Sequence, residues 1–543
     1  MREIKQLSIG NVQLRNHETN EIILVPQPST DPNDPLNWPQ WYKKSIAVVV
    51  CLAMLWCNFL AAGPTVAIIQ TTVNFFPGAT PGVHTGQFHR HLARVSYFFT
   101  CTALFQGVGN FLWVPLASKY GRRPTYIFSY AIYFACSIWA ALDHSYGGFL
   151  AARILMGVGS GAAETLAPVT ISDLFFLHER GTIMAMYTSF LSVGVAFGMI
   201  ISGIIVIHHN WRVIYEVASA FIGLILLVAF FAFPETAFRR NILPTEGFVG
   251  NQKTKEFPSH SDPTKDVENN QPPPADSTAD TIMVLPRRSY LESLKIFSGT
   301  YTEEPLHTIL LRPLGLICLP PVLWSALVQS VTIGFLVAVT SNIGEAFTST
   351  YDFASWQVGL CFVSAFIGSI AGIPAGGQLG DWVADYLTKR NGGFREPEMR
   401  LPAMLPSMLV TPLALVLYGV GIAKDLHWMC PTVGLGLLNF SIVQGTNVCL
   451  VYVIDAYRPV AGEGTLAVMG FKSLIGFCLS FYTNPWVNAV GYLPAFGTMA
   501  GIATAIISLW IPLYIWGKKI RRATWTWPVM ASVRWADDRE VGE

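Results

Sequence analysis

The sequence predicts an all-α integral membrane protein of twelve transmembrane helices arranged as two six-helix halves, with both termini cytoplasmic. Three observations carry this. Of 543 residues 52% are hydrophobic and only 13% charged, where soluble domains carry about 25% charge. Mean hydropathy is +0.43. Apolar runs of bilayer-spanning length, about 20 residues for a ~30 Å core, fall into six, a break, and six more.

The polar segment 1–44 precedes the first run and holds no apolar core of signal-peptide length, so the first span is expected to act as its own insertion signal. Spans follow at 45–70, 92–117, 124–143, 147–172, 182–207 and 211–233, forming a first half over 45–233. The linker 234–312 is the one long polar stretch. Its Pro- and Ser-rich middle predicts disorder, and Tyr290, Leu291, Leu294 and Phe297 predict a short amphipathic helix over 289–297. The second half, 313–516, holds runs at 313–341, 355–380, 403–423, 428–456, 464–490 and 494–516. A tail, 517–543, ends the chain. Runs longer than 25 residues imply tilt or kinks.

Orientation follows from the basic residues beside the spans. One side collects Lys43, Lys44, Lys119, Arg122, Arg123, Arg180, Lys389, Arg390, Arg395, Arg400, Arg458, Lys518, Lys519, Arg521 and Arg522. The other has Arg90, Arg94, Arg212 and Lys424. The richer side, with the termini and the linker, is assigned to the cytoplasm.

Composition also excludes functions. A net charge of +1 offers no basic field for nucleic acid. The nine cysteines sit in or beside apolar runs, without zinc-ligand spacing, and are expected to be small buried hydrophobes. His84, His89 and His91 are expected to be solvated loop residues. No GxxxxGK[ST] phosphate cradle is present. No metal and no cofactor are expected, and no nucleophile constellation or His-rich box marks an enzyme.

A charge inside the bilayer costs about 2.5–3.5 kcal/mol on insertion scales, so it persists where it faces a cavity or a partner. The fourth run contains RILMGVGSGAAE, with Arg153 and Glu164 eleven residues apart. At ~100° per residue they share a face within about 20°, roughly 16 Å apart, too far for a direct pair. Gly157 and Gly161 form a GxxxG pair suited to close helix packing. A carboxyl withdrawn from water holds its proton more tightly, which makes Glu164 the candidate for proton coupling or cation recognition. Arg153 is expected to organise hydrogen bonds. Asn58, Gln106, Gln329, Gln444 and Asn447 are the other mid-span polar candidates for a midplane site, with Trp56, Tyr452 and Tyr482 as aromatic walls. Lys472 is expected either to snorkel to the cytoplasmic interface or to pair with Asp455. Asp173, Glu179 and Arg180 lie at the cytoplasmic mouth and are assigned to gating.

With these residues in view, the chain resembles the major facilitator superfamily. The family's loop after the second span reads Gly-x-x-x-Asp-Arg-x-Gly-Arg-Arg/Lys. Here Gly121, Arg122 and Arg123 match, while Ser118 replaces the aspartate. In the second half Gly377 and Asp381 retain the Gly-x-x-x-Asp pattern. The resemblance implies that Asp381 and nearby basic groups latch neighbouring helices in one gating state, and that the first-half latch is weaker or built from other groups. Arg153 and Gly157 resemble the fourth-span motif. The fifth-span antiporter motif keeps Gly194, Gly198 and Gly203 but has Met199 at the expected proline. DPNDPLNWPQWYKK (31–44), DLFFLHERG (173–181), FPETAFRR (233–240) and RNGGFREPEMRLP (390–402) are similar to a fungal twelve-span branch near the drug:proton antiporters and the polyamine/cation uptake carriers.

The resemblance implies secondary active transport of a small organic solute by alternating access, coupled to protons. Efflux of a drug-like compound or secondary metabolite is favoured slightly over uptake of polyamines or other organic cations. A non-transporting nutrient sensor is the reading from another class. A monomer in the plasma membrane is expected, with lipid, the solute and protons as its partners.

Overall fold

The long helices coincide with the apolar runs, and polar side chains satisfy free N–H groups at a few of the turns and helix starts that lead into them. In the computed structural model, which describes residues 12–13, 24–26, 28–29, 31–77, 85–238 and 289–533, Asp34 accepts from Leu36 N at 3.0 Å just before α1 (Gln40–Ala62). A turn over Gly63–Ala67 leads into α2 (Ile68–Phe75). Then come α3 (Thr85–Tyr120), α4 (Arg122–Leu142), α5 (Tyr146–Leu174), α6 (Leu177–His208) and α7 (Val213–Ala232). Ser145 caps α5, accepting from Gly148 N at 3.1 Å, an N-cap worth about 1 kcal/mol. Gly121 joins α3 to α4 at φ 102°, a backbone conformation that only glycine adopts readily.

After the described residues resume come α8 (Tyr290–Ser293), α9 (Leu306–Leu316), α10 (Pro320–Tyr351), α11 (Ser355–Cys361), α12 (Val363–Gly376) and α13 (Gln378–Arg390). The chain then runs through a 3-10 segment, Pro397–Met404, into α14 (Leu405–Ala423), α15 (Met429–Ala456), α16 (Ala461–Val490), α17 (Tyr492–Ser508), α18 (Trp510–Trp525) and α19 (Pro528–Val533). Strand β1 (Val12–Gln13) pairs antiparallel with β2 (Phe394–Arg395). The stretch 239–288, where linker disorder is expected, and His84 lie outside the described residues. Near 289–297 the helix covers Tyr290–Ser293, started by a capping box of Ser289 and Glu292.

Eleven helices among the described residues are long and apolar enough to cross a membrane. The 36-residue α3 is not among them, because Gln106, Asn110 and a polar first third dilute its apolar length. Large apolar side chains face outward, among them Leu227 (58% exposed), Ile367 (62%) and Leu409 (61%). Outward apolar surface on this scale suits lipid and not water. Buried side chains form two hydrophobic clusters. One draws mainly on Ile46–Phe233 and takes in Leu450, Ile454 and Met469; the other draws mainly on Leu316–Val533 and takes in Val66, Ala196 and Met199. Helix α3 packs on α5, and α10 on α16. The seam between the clusters is made by α6 against α12 and α15, and by α3 and α5 against α16.

Candidate functional site

The charge puzzle of the fourth run is resolved at that seam. Glu164, on α5, forms an ion pair through Oε1 with Lys472 Nζ on α16. Both side chains are almost completely buried, at 4% and 6% exposure. The other carboxylate oxygen, Oε2, accepts from Asn110 Nδ2 on α3 at 3.1 Å. Tyr187, on α6, donates its hydroxyl to the Glu164 carbonyl at 2.6 Å. Thus the carboxylate carried by α5 is held by α3 of the first cluster, its counter-charge comes from the second, and α6 fixes the backbone of the same residue. From the sequence, Lys472 is expected at the cytoplasmic interface or on Asp455. The structure places it on Glu164, and Asp455 faces Arg180 Nη1 at 3.8 Å instead.

Arg153 does not enter this pair. It is fully buried, donates through Nε to Phe98 O at 3.0 Å and through Nη1 to Leu60 O at 2.9 Å, and lies over the rings of Phe99 and Tyr215 at 5.3 and 5.7 Å. It therefore ties α5 to α3 and to the last turn of α1, where carbonyls lack helical partners.

The close approach of α3 and α5 rests on glycine. A methyl group at Gly161 would lie 2.9 Å from both Asn110 N and Asn110 Oδ1, so any larger residue would displace the amide that holds Glu164.

The remaining mid-span candidates divide. Gln329 is fully buried and neither amide atom has a hydrogen-bond partner among the described residues. Gln444 is engaged, accepting from Ser407 Oγ and donating to Ala403 O. Asn447 donates to Gly181 O at 3.4 Å across the seam. Asn58 donates to Met54 O at 3.0 Å within its own helix, and Gln106 lies on α3 one turn before Asn110, 8% exposed. Tyr452 is buried with its ring edge-on to Trp324 at 6.0 Å. Trp56 stacks on Phe221 at 4.2 Å, whereas Tyr482 is 62% exposed and walls no interior site.

At the end rich in Lys and Arg, the first two turns of α6 are the meeting point. Besides Arg180 with Asp455 and Gly181 with Asn447, Thr182 Oγ1 donates to Asp381 Oδ2 at 3.4 Å. Asp381 also pairs with Arg400. Gly377 lies where a methyl would come 3.0 Å from Thr182 Cα. The first-half loop is built from other acids. Arg122 Nε donates to Asp173 at 3.2 Å, and Glu235 accepts from the backbone N–H groups of Arg122 (2.8 Å), Arg123 (3.2 Å) and Ala237 (2.9 Å). A carboxylate at the start of α4 meets both its free donors and its dipole. Burial nevertheless raises the Glu235 carboxyl above its ordinary range, outweighing these N–H groups and Arg122. Arg123 donates to the carbonyls of Phe233, Phe230 (2.7 Å) and Leu294 (3.2 Å).

Asn110, Tyr187 and Glu235 are the residues that the sequence reading does not single out. For Asn110 a signal exists: it stands four residues after Gln106, on one face of α3. Among the described residues no group of three His, Cys, Asp or Glu side chains is placed to hold a metal.

Comparison with known proteins fits this architecture. Protein HOL1 of Saccharomyces cerevisiae is 23% identical over 551 residues, 93% of this chain and 91% of that protein. The probable efflux pump mfs2 of Aspergillus flavus is 24% identical over 75% of this chain and 89% of its own. The solved structure of the proton:xylose symporter XylE bound to 6-bromo-6-deoxy-D-glucose superposes with a TM-score of 0.59 at 15% identity, over 90% of this chain and 100% of that one, a likeness of fold. The family profile described as Major Facilitator Superfamily matches residues 48–477. A multi-pass, all-helical chain with paired helical clusters, so matched over most of its length, belongs to the major facilitator superfamily.

Proposed function

We propose that this protein is a proton-coupled secondary transporter of a small organic solute. It works as a monomer of twelve spans, α3 included, with its basic end, termini and linker in the cytoplasm and the plasma membrane as its site. The observation that carries the coupling is the buried Glu164–Lys472 pair across the seam. While Glu164 is ionised, the pair holds α5 to α16. A proton arriving at Glu164 removes the attraction, and the seam opens at the cost of one hydrated ammonium, Lys472. Alternating access then follows from making and breaking this pair in step with the contacts of Arg180, Gly181 and Thr182 at the basic end. Efflux is favoured, in keeping with the relative named as a probable efflux pump.

A second reading, uptake of an organic cation such as a polyamine, is supported by the same carboxylate: an amine displacing Lys472 would find Glu164 with Asn110 already beside it. Flux into proteoliposomes under an imposed pH gradient separates them, screened over polyamines, amino compounds and aromatic metabolites. Accumulation on the acidic side indicates antiport and on the alkaline side symport, while binding without flux indicates a sensor. Glu164→Gln should abolish pH-driven accumulation in folded protein; full retained accumulation would refute the coupling role.

A further inference from the structure

Asn110 holds the Glu164 carboxylate with only half of its amide. Its Nδ2 donates to Oε2 at 3.1 Å, while its Oδ1, in a fully buried side chain, accepts no hydrogen bond among the described residues. Buried polar atoms are satisfied in the large majority of cases, so an unused acceptor beside a carboxylate needs an explanation. With Oε1 facing the Lys472 ammonium, which can only donate, the orientation seen suits the ionised carboxylate. An ionised carboxylate only accepts, whereas a protonated one must also donate.

We propose that Asn110 is a positioning residue that serves both protonation states of Glu164 by reversing its amide. This rests on the proton-coupled reading above. In the ionised state Nδ2–H donates to Oε2, as observed. When a proton from the aqueous phase bonds to Oε2, the carboxyl becomes neutral and its new O–H points at a nitrogen that cannot accept. A half-turn about χ2 of Asn110 brings Oδ1 to Oε2 and turns that O–H into a hydrogen bond. The space needed is already there, because the turn exchanges two atoms of similar size across the tight α3–α5 crossing. The Gln106 carbonyl borders the same space over Gly161, 2.9 Å from where a methyl would stand, and meets the displaced Nδ2–H. Proton and charge balance: Glu164 goes from −1 to 0, and Lys472 keeps its proton.

The other groups around Glu164 do not supply this acceptor. Lys472 on α16 is a donor only. Tyr187 on α6 already gives its hydroxyl to the Glu164 backbone carbonyl. Cys57 on α1 and Tyr130 on α4 hydrogen-bond to each other at 3.2 Å, with Tyr130 also donating to Ala53 O at 2.6 Å. Arg153 and Asp173, the nearest charges on α5 itself, are committed to Phe98 and Leu60 and to Arg122.

The test is difference infrared spectroscopy between alkaline and acidic pH on the purified full-length protein in lipid nanodiscs, with no solute added. Wild type should show a protonated-carboxyl stretch that is missing in Glu164→Gln. In Asn110→Leu, a shape-conserving change that cannot accept, that band should move to higher wavenumber, because a carboxylic acid without an acceptor has the stiffer C=O. Asn110→Ala makes the same prediction and replaces the leucine variant if that one does not fold. A band that depends on Glu164 but stays in place in these variants overturns the amide reversal alone. The lack of any band dependent on Glu164 overturns the reversal together with the proton reading.

Discussion

Replacing Lys472 by methionine isolates what the buried pair contributes. Methionine matches the stem of lysine and removes only the ammonium, so the packing of α16 on α5 survives. Glu164 is then left without its counter-charge at 4% side-chain exposure, with Oε1 stripped of its partner and Oε2 still held by Asn110. Two unit charges ~4 Å apart at an effective dielectric of ~20 attract by about 4 kcal/mol, and breaking a buried pair from one side costs about 3–5 kcal/mol. The two figures agree, and correspond to a loss of two to four orders of magnitude in the folded-to-unfolded ratio. Glu164→Gln should cost less, because a lysine stem can carry its ammonium toward water while a glutamate held by Asn110 has no such reach. The double change Glu164→Gln with Lys472→Met should recover most of the loss, since neutral replacements of buried pairs are often tolerated. Thermal unfolding of the purified protein in detergent at mildly alkaline pH, followed by tryptophan fluorescence, completes the double-mutant cycle. A Lys472→Met protein that melts with wild type, or a double variant no more stable than Lys472→Met, would refute the pairing.

The basic end gives two more predictions. Asp381→Asn removes the charge shared by Arg400 and Thr182 and should slow turnover of the transported solute severalfold with little change in half-saturation; the opposite pattern would assign Asp381 to solute binding. Glu235 has its carboxyl raised by burial, so the folded state takes up a proton at higher pH than the unfolded state does, and folding gains as pH falls through the folded midpoint toward the ordinary carboxylate value of about 4.3. Measured as the melting-temperature difference from Glu235→Gln, wild type should gain on the variant as pH is lowered through that window, and a difference flat with pH would reject the assignment.

How much of this is legible in the sequence depends on whether the information is local. Helical runs, charge asymmetry and the motif around Gly121 are local, and they are enough for the all-helical fold and the family. The face shared by Arg153 and Glu164 is also local, because helix geometry fixes it. Their partners are not. Lys472 lies 308 residues from Glu164, and depth along a span says nothing of which helix stands opposite, so Asp455 and Glu164 are equal candidates until the packing is known. Ser118 shows the same limit: its missing carboxylate is replaced by Asp173 and Glu235, one from the end of α5 and one from beyond α7. Helix α3, expected from the sequence as the span 92–117, carries the polar residues that matter most to the site, and these same residues lower its apolar length.

Arg123 reaches the carbonyls of Phe230 and Phe233 on one side and of Leu294 on the other, and Tyr290 Oη donates to Phe231 O at 3.0 Å. The described chain thus leaves the first half and resumes before the second at the same place, tied there by the Arg123 guanidinium and the Tyr290 hydroxyl. A change at Arg123 would therefore loosen the junction between the end of the first half and Leu294, leaving the Tyr290 hydroxyl as its remaining tie to Phe231.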